Sequence, residues 1–258
     1  MLIAEKKGIL LSIPTIEIDS FSDGGFVAKI VSSEEELLQI LRLRRDVFEN
    51  EIAGKQNGDD FADWEDFDSV CHHIGVFEKS TGKAIGTYRL NPPYLNGGRL
   101  YSSGEFQTEA IPEQVLRSSV ELGRAAIARE YRNTRILFLL WKVLASYVTA
   151  HEIRYLFGCC SVFTQDPVMA ASFLKRFRED GAMLDTFEIA PREDARILTE
   201  NEYGELPAIS YPPLVSIYLR IGAKICGEPA IDRKMKTIDF FVLFDLLDLN
   251  ERYRAALF

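Results

Sequence analysis

The sequence is poor in the residues that build metal and disulfide sites. The chain of 258 residues contains four cysteines and three histidines. They are Cys71, Cys159, Cys160, Cys226, His72, His73 and His151. None of them is spaced as a CxxC pair or as the ligand set of a zinc site. We therefore expect free thiols in a reducing cytosol, no disulfide framework and no resident metal.

Long apolar runs are also lacking. The longest, Ile136–Trp141 and Phe240–Leu247, are far shorter than the ~20 residues that cross a bilayer. The first twenty residues include lysines and a short apolar stretch, but no signal-peptide core or cleavage site. These features predict a cytoplasmic protein.

Positive charge is in deficit, and the common catalytic motifs are absent. Thirty basic residues stand against 39 acidic ones, and the net charge of −9 argues against general binding to nucleic acids or anionic lipid. The sequence has no Walker A loop and no GxGxxG, GxSxG or HExxH motif. Nucleotide-binding, serine-hydrolase and zinc-protease functions therefore lack support.

What is present is a globular composition with a mixed α/β pattern. Hydrophobic residues make up 47% of the chain and charged residues 27%. Predicted helices cover 33–52, 135–150, 166–181, 213–222 and a short C-terminal segment. Predicted strands cover 73–78, 84–90, 119–127, 153–163, 185–190 and 238–244, the first two forming a hairpin. This order predicts a mixed α/β (α+β) sheet packed against helices.

Charged residues interrupt several of these apolar patterns. Glu121 and Arg124 lie in the strand 119–127, Arg89 lies in the hairpin, and Arg44 lies on the apolar stripe of the first helix. Leaving such a charge buried without a partner costs several kcal/mol. Glu121 therefore either pairs with an arginine to hold the sheet together or has a chemical role.

An arginine set precedes the predicted helix 135–150. Arg129, Arg132 and Arg135 lie at its start, where cations oppose the helix dipole. An anion such as a phosphate docking there would account for them. The alternative is a solvated turn.

The order of these motifs resembles one branch of the GNAT acyltransferases, the acyl-carrier-protein-dependent one. It contains the acyl-homoserine-lactone synthases and the N-acyltransferases that make lyso-ornithine lipid. The resemblance rests on LRRDVF (43–48), EDFD (65–68), GTYRL (86–90) and ELGR (121–124). The segments YPPL (211–214), RIGAK (220–224), CGEPA (226–230) and DFFVL (239–243) resemble the ornithine-lipid members specifically.

The resemblance implies a GNAT-like central mixed, mostly antiparallel sheet with helices on both faces. It implies one domain over 1–258, with an N-terminal extension at 1–25 and a family-specific C-terminal extension at 191–258. The implied reaction moves a (3-hydroxy)fatty acyl group from acyl-carrier protein to the α-amine of an amino acid such as ornithine. The donor group would be acyl-phosphopantetheine, with no tightly bound cofactor, and the lipid product would allow a peripheral contact with the inner membrane face.

The resemblance also implies roles for individual residues. Glu121, with Arg89 and Arg124, is the expected catalytic set: Glu121 as base, directly or through a water, and an arginine on the acceptor carboxylate. The residues expected to bind substrate are Arg44, Phe48, Glu65, Asp68 and His73. Among them, Glu65 and Asp68 would bind a basic side chain of the acceptor. Expected to bind the phosphopantetheine and the carrier are Arg129, Arg132 and Arg135.

The sequence departs from the wider GNAT pattern at three places. RNTRIL (132–137) stands where coenzyme A-binding members have small residues, Phe177 stands near their general-acid tyrosine, and EIA (51–53) replaces a tryptophan of the lactone synthases. The first departure favours a carrier-protein donor, and the third argues against S-adenosylmethionine as acceptor. Three alternatives stay open: an acyl-CoA donor, another amine acceptor, and a non-catalytic carrier-protein- or lipid-binding module.

Overall fold

The structure is a computed structural model that describes residue 14 and residues 16–48, 63–132, 134–197 and 205–258. These residues divide into two compact units. The first unit comprises the described residues up to Gly98, Leu122–Ile153 and the last two residues; the second comprises Arg99–Glu121 and Arg154–Ala256. The single domain over 1–258 stays a prediction.

The described residues form nine strands and six α-helices. The strands are β1 (Phe21–Asp23), β2 (Phe26–Ile30), β3 (His72–Glu78), β4 (Ala84–Asn91), β5 (Ser119–Ile127), β6 (Tyr155–Val162), β7 (Lys224–Ile225), β8 (Ala230–Asp232) and β9 (Thr237–Asp245). The helices are α1 (Glu34–Arg45), α2 (Glu113–Arg117), α3 (Thr134–Ala150), α4 (Pro167–Glu179), α5 (Pro213–Ile221) and α6 (Glu251–Leu257). This confirms the predicted mixed α/β fold with a mostly antiparallel sheet.

In the first unit, β1 to β4 pair antiparallel in sequence order, and the C-terminal part of β5 lies beside β4. A Cβ on Gly86 of β4 would lie 3.0 Å from Ile136 of α3, so α3 packs closely on that face. Arg89, three residues further along β4, points to the opposite face because side chains alternate along a strand. That face carries α1, so helices cover both faces of this unit's sheet.

In the second unit, β6 pairs with the first three residues of β5 in parallel and with β9 antiparallel. β7 and β8 both pair with β9. One apolar cluster joins Phe157 and Phe241 to the segment that includes Leu100 and Phe106. A second cluster joins Phe240 to α4 and α5, so the two faces of these strands belong to different parts of the core.

Two predicted elements need correction. Residues 185–190 form no strand, because Ile189 donates a single hydrogen bond to Cys226 while the Cys226 N–H is bonded to β9. The first helix ends at Arg45 and a wider π-type turn follows at 46–48, whereas 49–52 lie outside the described residues. Ser33 caps its N-terminus by accepting from the Glu36 N–H at 3.2 Å, and the Glu36 carboxylate accepts from the Ser32 N–H at 3.0 Å.

Among the described residues, no helix combines the length and the apolar character that a membrane span requires.

Candidate functional site

A buried ion network lies in the first unit and is built around Arg44. The side chain of this arginine lies on the core-facing stripe of α1 and is 0% exposed. Its Nε donates to Asp63 at 2.8 Å, and its two Nη atoms donate to Asp68 at 2.7 and 3.2 Å. These charge-assisted bonds supply the partners that a guanidinium inside the fold requires.

Asp68 is the centre of the network and is also 0% exposed. It lies in the short 3₁₀ turn 66–69, where one of its oxygens accepts from the Glu65 N–H at 2.8 Å. Burial alone would raise the pKa of Asp68, but Arg44 and, less strongly, Arg89 outweigh burial and lower it. Asp68 therefore stays ionised at neutral pH.

Arg89 and Arg124 share the carboxylate of Glu65. The Arg89 Nη1 donates to Glu65 at 2.8 Å and to Asp68 at 3.3 Å. Arg124 contacts Glu65 through two nitrogens, one of them Nε at 3.2 Å, and lies 3.5 Å from Asp63. Three arginines thus face three carboxyl groups, and the Arg124 side chain, 9% exposed, is more accessible than that of Arg89 at 2%.

The backbone at Arg124 is strained. Its φ is +51°, a left-handed conformation that costs a non-glycine residue about 1–3 kcal/mol and is concentrated at functional sites. Its guanidinium lies 5.5 Å from the ring centroid of Phe48, which brings that predicted residue to the network. The half-buried residues 122–125 make this the open part of β5.

His73 joins the network from β3. It is fully buried, and its Nε2 lies 3.0 Å from the backbone oxygen of Asp68. Burial lowers the pKa of His73 to about 4, so the imidazole is neutral at pH 7. The predicted substrate-binding set 44, 48, 65, 68 and 73 therefore forms one cluster with Arg89 and Arg124. Ion pairs hold the charged members together, Phe48 joins through its ring contact with Arg124, and His73 joins through its hydrogen bond to Asp68.

Glu121 belongs to the second unit and is the last paired residue of the parallel β5–β6 ladder, opposite Phe157. It is 3% exposed. One carboxylate oxygen accepts from the N–H of Tyr101 and the other from that of Ser102, both at 2.7 Å. Two amides from one 3₁₀ turn thus fix the orientation of this carboxylate, a contact that no side-chain motif could have predicted.

The second unit also contains a cluster of two carboxyl groups and a thiol that the sequence analysis did not predict. The side-chain ligand atoms of Glu105, Cys159 and Asp239 lie within 4.8 Å of one another. Burial and the neighbouring Asp239 raise the pKa of Glu105 to about 9. Asp239 could have been noticed in the sequence, because it is a carboxylate in the apolar strand DFFVL. Glu105 could not, because only the fold brings it close to Asp239.

The three arginines predicted to bind the phosphopantetheine and the carrier protein have different environments. Arg129 and Arg132 are exposed in the turn before α3, and the Arg132 Nε donates to the Ile127 carbonyl at 3.1 Å. Arg135 forms a two-nitrogen ion pair with Asp23, with one bond at 2.7 Å. Near the position of the missing tyrosine, Tyr211 stacks on Phe177 with ring centroids 5.1 Å apart.

Comparison with known proteins defines the class. Residues 43–142, which include the ion network, Glu121 and the arginine turn, match the family model described as an acetyltransferase (GNAT) domain. The solved structure of a CoA-dependent acyl-homoserine lactone synthase, BjaI, with SAM and isopentyl-CoA superimposes with a TM-score of 0.50 at 14% identity. That match covers 90% of each chain and shows the same fold. The chain is therefore an acyltransferase with the GNAT fold.

Curated relatives narrow the class further. The L-ornithine N(alpha)-acyltransferase of Rhizobium meliloti (strain 1021) is 30% identical over 211 residues, 74% of this chain and 69% of the relative. The enzyme of the same name from Brucella abortus (strain 2308) is 27% identical over 248 residues, 89% and 88% of the two chains. The protein belongs to the L-ornithine N(alpha)-acyltransferase family.

Proposed function

We propose that the protein transfers a fatty acyl group, such as a 3-hydroxyacyl group, from acyl-carrier protein to the α-amine of ornithine. The product is an N-acyl amino acid of the lyso-ornithine-lipid type. The names of the curated relatives support the acceptor. The observation that carries the chemistry is the Glu121 carboxylate, fixed by two backbone amides where the β5–β6 ladder ends.

The reaction needs a base because an amino acid carries its amine as an ammonium at neutral pH. Glu121 accepts one ammonium proton, directly or through a water. The freed nitrogen lone pair attacks the thioester carbonyl, and the resulting tetrahedral intermediate collapses by breaking its C–S bond. The nitrogen loses its second proton as the amide forms. The leaving pantetheine thiolate takes up one of the two protons, and the other passes from Glu121 to solvent. A thiol with a pKa of roughly 8.5 is a good enough leaving group to need little acid assistance.

The ion network supplies cationic groups for the acceptor carboxylate. Arg124, three residues after Glu121 on β5 and the more exposed of the two candidates, binds that carboxylate, and Arg89 helps hold Arg124 through their shared partner Glu65. A planar guanidinium matches a carboxylate with two parallel hydrogen bonds. Since Glu65 and Asp68 already accept from arginines, we assign to them the positioning of these guanidinium groups.

We assign binding of the acyl donor to the turn before α3. Arg129 and Arg132 are exposed there, and their charge suits the phosphate of phosphopantetheine and the acidic surface of a carrier protein. The sequence 132–137 has no small residue that would bring backbone amides to a nucleotide pyrophosphate, which favours the carrier protein over acyl-CoA. We place the reaction in the cytoplasm, where the lipid product would give a peripheral contact with the inner membrane face.

The test is product formation by the purified protein from defined substrates. Matched 3-hydroxyacyl-carrier protein and 3-hydroxyacyl-CoA are each supplied with ornithine or with its decarboxylated analogue putrescine, and products are identified by mass spectrometry. We expect N-acylornithine from the carrier-protein donor. Putrescine should react at least about 100-fold more slowly, because it has no carboxylate to form the two hydrogen bonds with Arg124. Equal turnover of both acceptors would refute the carboxylate assignment, and absence of any acyl transfer would refute the function.

A further inference from the structure

One end of the sheet in the second unit carries a basic hairpin turn. Strands β8 and β9 pair antiparallel, and the residues RKMK (233–236) connect them. One oxygen of Asp232 accepts from the N–H groups of Lys234 and Met235 at 2.7 and 2.9 Å, which fixes the turn. Three of the four turn side chains are exposed, and all three are cations: Arg233, Lys234 and Lys236.

A large aromatic side chain is exposed beside this turn. Phe163 follows the last residue of β6 and is 58% exposed. The residue before it, Val162, pairs with Ile238 of β9, and the Gln165 side chain donates to the carbonyl of Asp232 at 3.3 Å. Both contacts place Phe163 at the end of the sheet where the hairpin turn lies. We call this group the basic tip: Phe163, Arg233, Lys234 and Lys236.

The combination of an exposed ring and exposed cations distinguishes the basic tip from another exposed apolar position of this unit. Leu247 is 64% exposed, but an exposed carboxylate, Asp248, follows it directly. At the basic tip, neither Arg233 nor Lys236 forms a salt bridge with a carboxylate of the described residues, and Arg233 donates instead to the backbone oxygen of Asp194. The tip therefore joins an apolar ring to cations that ion pairs do not neutralise.

These features match the surface of an anionic bilayer. Lipid phosphates attract exposed lysine and arginine side chains, and the headgroup–acyl boundary just beneath them accepts an aromatic ring. The net charge of −9 and the exposed residues Glu193 and Asp194, which lie close to Arg233, oppose adsorption over a wider surface. Screening beyond ~8 Å confines the attraction to the tip. An acidic protein would satisfy the cations alone, whereas a bilayer also accommodates Phe163.

We propose that the basic tip is a membrane-contact surface for anionic phospholipid. Phe163 enters the headgroup–acyl boundary, and the three cations of the turn bind lipid phosphates. The inference rests on the proposed function, because the single-chain lipid product has a bilayer as its destination. Both parts of the tip are needed, since one weak apolar anchor gives stable attachment only together with a second signal such as a basic patch.

Vesicle flotation without acyl donor or acceptor tests this surface separately from catalysis. Anionic vesicles of phosphatidylglycerol and phosphatidylcholine are compared with vesicles of phosphatidylcholine alone. Two tip variants remove the ring or two of the charges: Phe163→Ser, and Arg233→Gln with Lys236→Gln. Two matched controls remove an apolar group or the same charge at exposed positions elsewhere in this unit: Leu247→Ser, and Arg220→Gln with Arg252→Gln. Thermal melting checks that each variant is folded.

We expect wild type to bind the anionic vesicles but not the neutral ones, and to be released at about 1 M salt, where the screening length is about 3 Å. Loss of the two charges should weaken binding about 10- to 30-fold and loss of the ring about tenfold, with both controls close to wild type. No binding to anionic vesicles, or equal losses in tip variants and controls, would overturn the proposal. So would binding of acyl-carrier protein that the tip variants lose while their vesicle binding stays unchanged. Vesicle binding that passes these tests in a protein without acyl transfer would refute the proposed function and leave the membrane surface standing.

Discussion

Asp68 accepts hydrogen bonds from two arginines and one backbone amide while fully excluded from water. Removing one partner of such a buried pair typically costs about 3–5 kcal/mol, because the other charge stays behind unpaired. The network is therefore expensive to disturb, and its functional value lies in holding Arg89 and Arg124 in one orientation. Pre-organised charges of this kind need no rearrangement when a substrate carboxylate arrives.

The two neighbouring histidines of β3 predict a pH-dependent stability. Burial lowers the pKa of His72 to about 4, as it does for His73, so the native state excludes a proton that the unfolded chain binds below about 6.5. Stability from each histidine is thus complete above pH 6.5 and lost as pH falls toward 4. As pH falls from 6.5 to 4, the free energy of unfolding of wild type should decrease by up to about 1.4 kcal/mol per pH unit more than that of His72→Phe.

Urea unfolding at several pH values measures that difference in slope, whatever the variant does to absolute stability. Glu105→Gln is the matched control, for which we expect a slope change of opposite sign. The raised pKa of Glu105 stabilises the folded state most at low pH, and this contribution is lost as pH rises toward 9. Identical slopes for wild type and His72→Phe would contradict a neutral buried His72.

At the scale of elements, the strongly patterned segments were predictable and the irregular ones were not. The helix 166–181 was predictable because Asp166 and Pro167 are typical of a helix start and Gly181 of a helix end. The structure has this helix at Pro167–Glu179, with the Val168 N–H donating to Asp166 at 2.9 Å. Residues 185–190 have strand-like alternation, but the fold provides only isolated hydrogen bonds for them. In the site, buried charges were visible as interruptions of apolar patterns. Their partners were not, since Glu65 and Arg124 are 59 residues apart in sequence.

The end of α5 predicts a specific effect of glycine replacement. Gly222 has φ +112°, and a Cβ there would lie 3.1 Å from the backbone oxygen of Asp248. Gly82 also has a positive φ, +70°, but its Cβ would meet nothing within 4 Å. We expect Gly82→Ala to cost about 1–2 kcal/mol from backbone strain alone and Gly222→Ala to cost more. Denaturant unfolding of both variants decides this, and equal losses would show that the contact with Asp248 is immaterial.

At the scale of the whole molecule, net charge opposes the proposed donor. The chain carries −9, and acyl carrier proteins are themselves acidic, so association depends on a local cationic region. Exposed charges are screened beyond ~8 Å at physiological salt. At short range, the attraction of a small arginine group can therefore exceed the repulsion between the two net negative charges. Arg129 and Arg132 form this group; Arg135 is less suitable for a test because reversing it would also break its ion pair with Asp23.

Reversal of Arg129 and Arg132 to glutamate should raise the KM for acyl-carrier protein by about tenfold or more at low salt, with a smaller effect at high salt. Transfer from a short acyl-pantetheine, which brings no acidic protein, should change much less. Arg220→Glu with Arg252→Glu changes net charge equally at exposed positions elsewhere and serves as the control. Equal loss with both donors would mean that the turn maintains the site rather than docks the carrier.

The central claim is that Glu121 takes the proton from the attacking amine, and Glu121→Gln tests it most directly. The amide keeps the size of the side chain but not its basicity, so the single-turnover rate of N-acylornithine formation should fall at least about 100-fold. The variant retains one acceptor oxygen for the amides of Tyr101 and Ser102, so its melting temperature and ornithine affinity are measured alongside. A large fall in rate with ornithine still bound by a folded protein is the predicted result, and a wild-type rate from the folded variant would contradict the account.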